Sequence, residues 1–156
     1  MIRGGVDTPL GRLTLTATDE GALTAIDWAG DLPDAPALAP VADQIAAYFD
    51  GRLSRFDLAL APEGTPFQHR VWAALRDIPH GETRSYADIA CAIGTPGGAQ
   101  AVGQANNRNP IPIIIPCHRV VAANGGIGGF GGGLDAKRAL LSLEGASFEA
   151  EQPRLL

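Results

Sequence analysis

The chain has little cysteine, few aromatics and no surplus of positive charge, and each shortage narrows what it can be. Two cysteines among 156 residues, Cys91 and Cys117, cannot staple a disulfide framework, and beside only three histidines they offer no metal-ligand spacing. Both thiols are expected to be reduced. No apolar run approaches the ~20 residues that span a bilayer, and no charged-then-apolar leader opens the chain, so the cytoplasm is the default expectation. A net charge of −5 disfavours a protein that holds nucleic acid by bulk attraction. That deficit is local: residues 1–62 carry nine acids and four bases, residues 63–156 eight of each, so any nucleic-acid contact belongs to the second part. What is present, 46% hydrophobic and 19% charged residues, is the composition of an ordinary globular protein able to bury a core.

Patterning divides the chain in two. Met1 to Val6, Leu13 to Ala17 and Leu23 to Trp28 read as short strands separated by turn residues, which predicts a small antiparallel sheet. Asp31 to Pro40 reads as a loop, and Val41, Ile45, Tyr48 and Phe49 recur at helical spacing, so a helix should cover that sheet. Phe56, Leu58 and Leu60 alternate with Asp57 and Ala59 and suit a last strand before an Ala-Pro-Glu-Gly linker, placing the boundary between domains at 1–62 and 63–156. Phe67, Val71, Trp72 and Leu75 form the stripe of the next helix, with Arg70 and Arg76 on its other face. Ser85-x-x-Asp88 resembles a capping box opening a helix that Gly94 closes, and a small-residue helix runs from Gly97 to Asn107. Two short helices around a Gly-Thr-Pro-Gly turn have the pattern of a helix-turn-helix, although many helical hairpins bind nothing. Ile111 to Ile115 suits a short strand or an extended buried segment, seven of the nine residues from Gly125 to Gly133 are glycine, and a last helix runs from Leu134 to Glu144.

Nucleophilic chemistry at a cysteine needs the thiolate, and an ordinary pKa of ~8.5 leaves only a few per cent of it near pH 7. A base must be close. His118 follows Cys117 directly, and an imidazole can take the thiol proton itself or through a water. A Cys-His pair alone is more often structural, but Pro110, Pro112 and Pro116 stiffen the segment that delivers this one. Cys91 falls inside an apolar helical pattern and reads as a small buried hydrophobe.

The elements Thr65-x-Phe67-Gln68-x-x-Val71-Trp72, Ile78-Pro79-x-Gly81-x-Thr83-x-Ser85-Tyr86, Ala101-Val102-Gly103-x-Ala105-Asn106, Asn109-Pro110 and Ile115-Pro116-Cys117-His118-Arg119-Val120 resemble, in this order, the O6-alkylguanine-DNA alkyltransferases. The likeness runs from about Thr65 to Glu144, and residues 1–62 share only the general layout. It implies an α/β plus α protein, in which a small ribonuclease-H-like domain precedes a winged helix-turn-helix domain. It also implies DNA repair: guanine is flipped from the duplex, and Cys117 irreversibly takes the alkyl group from O6. Each molecule then acts once and needs no cofactor, with O4-alkylthymine as a second candidate substrate. The partner is duplex DNA carrying O6-alkylguanine, with no membrane and no obligate protein partner.

The same resemblance distributes roles. His118 receives the thiol proton through a water and is oriented by Glu144. Asn109 holds the turn before the active segment, Tyr86 assists the leaving base, and Arg119 is structural. Val120 and the backbone of Gly128, Phe130, Gly131 and Gly132 line the pocket, with Phe130 where the family more often has tyrosine. Ala99, Gln100, Ala101, Gly103 and Arg108 face DNA. Gln100 stands where the family usually has the arginine that fills the gap left by the flipped base, and a neutral amide with shorter reach is a weaker plug. Two other readings within this fold are a non-catalytic sensor of alkylation damage and an alkyl acceptor redirected to a small non-DNA substrate. A generic winged-helix regulator explains the helix-turn-helix but not Pro-Cys-His-Arg-Val.

Overall fold

A computed structural model describes residues 1–122 and 132–147, and within it the chain forms two compact units. The first comprises Met1–Gly64 together with Pro110–Ile114, the second Thr65–Asn109 with the chain from Ile115 onward.

In the first unit, β1 (Ile2–Thr8), β2 (Gly11–Ala17) and β3 (Leu23–Asp27) make an antiparallel meander. Thr8 closes the first hairpin, its hydroxyl donating to the Gly11 carbonyl and accepting from the Leu10 amide. Leu13, Leu15 and Ala17 face the core at a period of two, and on the other face Thr14 is buried too, its hydroxyl donating to the Ala29 carbonyl. α1 (Ala39–Phe49) buries Val41, Ile45 and Tyr48, spaced four and three residues apart on one face. A tight approach explains the glycine pair in β1: a Cβ on Gly4 would lie 2.6 Å from that of Ala35, and one on Gly5 2.3 Å from the Leu32 carbonyl.

The strand expected over residues 56–60 reduces to a single parallel bridge between Leu23 and Leu60. Its alternation is real, but the Gln44 amide occupies the backbone that a strand neighbour would use, accepting from the Asp57 N–H and donating to the Asp57 carbonyl. Phe56 stacks on Tyr48 instead of pointing from a sheet.

The second unit begins with α2 (Pro66–Arg76). Thr65 and Gln68 cap it reciprocally, a device the sequence pattern also carries, and Pro66 fills the first turn, where its missing N–H costs nothing. α3 (Tyr86–Ala92) opens on the expected box of Ser85 and Asp88, and Gly94, at φ +77°, closes it. α4 (Ala99–Asn107) follows, completing the helix-turn-helix, and the Trp72 indole N–H reaches across to the Ala105 carbonyl, tying α2 to α4. Two-residue strands β4 (Arg84–Ser85) and β5 (Val120–Val121) pair in parallel, and α5 (Leu134–Glu144) ends at Gly145 in the left-handed region.

Residues 111–115 are buried as expected but form turns rather than a strand. Ile113 sits at φ +74°, which costs a β-branched residue ~1–2 kcal/mol, less than the ~1.5–3 kcal/mol gained by burying its side chain. The Pro110 carbonyl accepts from the Ile26 N–H, so this short segment belongs with the sheet although it leads to Cys117.

Candidate active site

Cys117 is placed by a succession of turns. The Asn109 side-chain amide donates to the Ile115 carbonyl at 2.8 Å, and the same carbonyl accepts from the Cys117 N–H at 2.7 Å. With Pro116 at φ −81° and ψ 66° this is an inverse γ-turn, a conformation the pyrrolidine ring favours by fixing φ. A 3₁₀ turn over Cys117–Arg119 follows, closed by the Val120 N–H on the Cys117 carbonyl. Cys117, His118 and Arg119 are all buried.

Burial sets their chemistry. The Cys117 thiol is pushed up to about 11 by loss of hydration, against the opposing pull of the Asn109 side chain and the charge of Lys137. Burial likewise pushes the His118 imidazole below its ordinary value, more than the neighbouring Glu144 raises it. His118 is therefore neutral near pH 7. Its Nε2 lies 2.7 Å from Glu144 Oε2, and a carboxylate acceptor there calls for the proton on Nε2, leaving Nδ1 as an acceptor. Nδ1 has no hydrogen-bond partner among the described residues.

Glu144 is itself held. Arg119 donates Nε to Oε1 at 2.8 Å and Nη2 to Oε2 at 3.0 Å, a two-pronged grip, and Nη1 donates to the Ile78 carbonyl at 2.6 Å. The guanidinium fixes the carboxylate, the carboxylate fixes the imidazole, and the imidazole follows the thiol in one turn.

Tyr86 opens α3 with its ring 3.7 Å from where a Cβ on Gly103 would stand. Val120 is fully buried in β5, and Gly132 lies in the turn before α5. Gly128, Phe130 and Gly131 fall outside the described residues. On α4, Gln100 and Ala101 are exposed, Ala99 and Gly103 partly so, and Arg108 stands exposed at the helix end. A groove of about 470 Å³ runs along this outer face, lined by Phe67, Gln68, Ala101, Gln104 and Arg108 among others, and Cys117 does not line it.

Two readings need correction or addition. Cys91 is exposed rather than buried, because it lies two residues past Ile89, on the far side of a helix with about 3.6 residues per turn. Lys137, the only lysine in the chain, was not singled out by its sequence pattern, yet it is fully buried in α5 and donates to the Val120 carbonyl at 2.7 Å. Burial lowers its pKa to about 8, although the Cys117 charge favours its protonation. The signal was present: Lys137 shares a helical face with Leu140, Leu141 and Glu144, where an unpartnered ammonium does not belong. Among the described residues no group of acids, histidines and cysteines could hold a metal, and no helix is long and apolar enough to cross a membrane.

Comparison with known proteins agrees with this architecture. The family model of the 6-O-methylguanine DNA methyltransferase ribonuclease-like domain matches residues 1–62, and that of the DNA binding domain matches residues 66–146. The methylated-DNA–protein-cysteine methyltransferase of Mycobacterium tuberculosis is 50% identical over 151 residues, covering 89% of each chain. That of Methanosarcina acetivorans is 60% identical over 103 residues, or 66% of each chain. The crystal structure of Mycobacterium tuberculosis OGT in complex with DNA superposes with a TM-score of 0.87 at 50% identity, covering 92% of both chains. Its small sheet domain followed by a helical DNA-binding domain is the arrangement seen here. Matched over both parts, the chain belongs to the 6-O-methylguanine DNA methyltransferase family.

Proposed function

We propose that this chain is a DNA-repair alkyltransferase that moves the alkyl group of O6-alkylguanine from duplex DNA to Cys117, once per molecule. The observation that carries the reading is the His118 imidazole, with Nε2 at 2.7 Å from Glu144 Oε2 and Nδ1 without a hydrogen-bond partner among the described residues, in the same buried turn as Cys117. A thiol pushed to about 11 is not a resting thiolate, so the proton must leave as the bond forms.

In the reaction, Cys117 Sγ attacks the alkyl carbon while that carbon's bond to O6 breaks. The thiol proton passes to His118 directly or through one water, and Glu144, held in place by Arg119, stabilises the imidazolium that results. The electron pair stays on the departing base, which Tyr86 protonates or hydrogen-bonds, giving guanine and an S-alkyl cysteine. Lys137 lowers the cost of the developing thiolate through its charge. No cofactor enters, because the protein is the acceptor. Asn109 holds the turn, and Val120 lines the pocket.

DNA binding is the work of residues 63–156, through Ala99, Gln100, Ala101 and Gly103 on α4 and Arg108 at its end. Gln100 is the side chain that fills the gap of the flipped base. The close relatives named as methylated-DNA–protein-cysteine methyltransferases support the activity, and the related OGT bound to DNA supports the partner.

The test is an intact mass after incubation with a duplex containing O6-methylguanine. A gain of one methylene mass, lost on Cys117→Ser, is expected. Binding without a mass gain would replace this reading with that of a damage sensor. Neither binding nor gain would favour a redirected acceptor, the outcome to which the acidic first half and Gln100 lend weight.

A further inference from the structure

Asn106 is buried near the end of α4, with 2% of its surface exposed. Its side-chain amide donates Nδ2 to the Cys117 carbonyl at 3.3 Å, and the direction is settled by chemistry, since only the amide nitrogen can donate to a carbonyl. Its Oδ1 is buried with no hydrogen-bond partner among the described residues. A half-satisfied buried amide costs stability, and an apolar side chain of the same size would avoid the orphaned acceptor. Stability therefore does not account for an asparagine here.

The peptide groups around Cys117 do. On the entering side, the Cys117 N–H is bound to the Ile115 carbonyl, which Asn109 grips. On the leaving side, the Cys117 carbonyl takes the Val120 N–H and the Asn106 amide. With both flanking peptide planes held, φ and ψ of Cys117 are fixed, and with them the direction of its Cα–Cβ bond. Asn106 and Asn109 stand on either side of the end of α4, where the Asn109 N–H donates to the Asn106 carbonyl.

We infer that Asn106 is a positioning residue for the nucleophile, clamping the Cys117 carbonyl as Asn109 clamps the peptide group before it, so that Sγ is aimed at the alkyl carbon. This rests on the reading of Cys117 as alkyl acceptor. The clamp acts on geometry and not on ionisation, which separates it from His118 and Lys137. Its loss lowers the rate at every pH without moving the midpoint of the pH profile.

The experiment compares the wild type with Asn106→Leu and Asn106→Ser. Readouts are thermal midpoint, dissociation constant for an unmodified duplex, and the saturating rate of labelling by free O6-benzylguanine from pH 6 to 9. Expected for Asn106→Leu are an equal or higher melting temperature, unchanged duplex affinity, and a labelling rate lower by about tenfold at all pH values, the size of a ~1.4 kcal/mol loss in the transition state. Asn106→Ser, which leaves a cavity, is expected to melt lower and to label as slowly. A wild-type rate in either folded variant overturns the clamp, as does failure of both to fold, which would mark the residue as structural. Labelling that persists in Cys117→Ser would instead sink the underlying reading.

Discussion

A buried guanidinium, carboxylate, imidazole and ammonium in one small region are expensive, and they are tolerable only because each is specifically bonded. Glu144 receives three charge-assisted or polar hydrogen bonds from Arg119 and His118, which repay the loss of water that an isolated carboxylate could not bear. Lys137 is different, since burial drags its pKa to about 8. The sign of its influence on Cys117 follows from its charge. Below pH 8 the ammonium favours the thiolate, and above that it becomes neutral and the help fades. Lys137→Met should therefore slow benzylguanine labelling by about tenfold at pH 7, as moving the thiol pKa up by about one would, and the gap should close by pH 9.5. A pH-independent gap, measured by the same labelling assay, would show that the side chain acts through packing alone.

At the level of elements, α4 carries opposite duties on its two faces. Its inner face gives Val102, Ala105 and Asn106 to the core, while Gln100 and Ala101 remain exposed. Small residues keep the helix slim, but α4 itself holds no cation, and Arg108 follows only at its end. Extruding a base requires a few kcal/mol, so the side chain that replaces it matters. Gln100→Arg supplies five donors and a permanent charge in place of one neutral amide. It should accelerate alkyl transfer from duplex DNA severalfold and leave transfer from free benzylguanine unaltered. Equal acceleration on both substrates, or none on duplex, would remove Gln100 from the extrusion step.

For the molecule as a whole, the passage of Pro110–Ile114 through the first unit has the largest consequence. Ile111, Ile113 and Ile114 are all buried and cluster with the sheet rather than with the helix-turn-helix. At ~1.5–3 kcal/mol each, exposing them would cost roughly 5–9 kcal/mol, comparable to the ~5–15 kcal/mol that holds a domain together. A fragment spanning 65–156 should therefore lack a cooperative thermal transition by circular dichroism, although it contains Cys117, His118, Arg119, Lys137 and Glu144. A sharp melt in that fragment would show that the first unit is dispensable for folding.

Much of this was legible before any fold was known. Hydrophobic period and turn residues located the meander, α1, α2 and α5 to within a few residues, and Ser85-x-x-Asp88 announced a cap that both reciprocal bonds complete. These are properties of neighbours in the chain, set by backbone sterics and local hydrogen bonding. The ordered motifs from Thr65 to Glu144 carried the family resemblance, which the matches over residues 1–62 and 66–146 bear out. The misread features depend on what arrives from elsewhere: Gln44 displaced a strand at Asp57, and helix facing exposed Cys91. Sequence by itself determined where the thiol, the imidazole and their helices lie along the chain. Only tertiary structure decided that Lys137 and Asn106 serve the same turn, because solvent exclusion and the meeting of α4, α5 and that turn are made by packing, not by proximity in the chain.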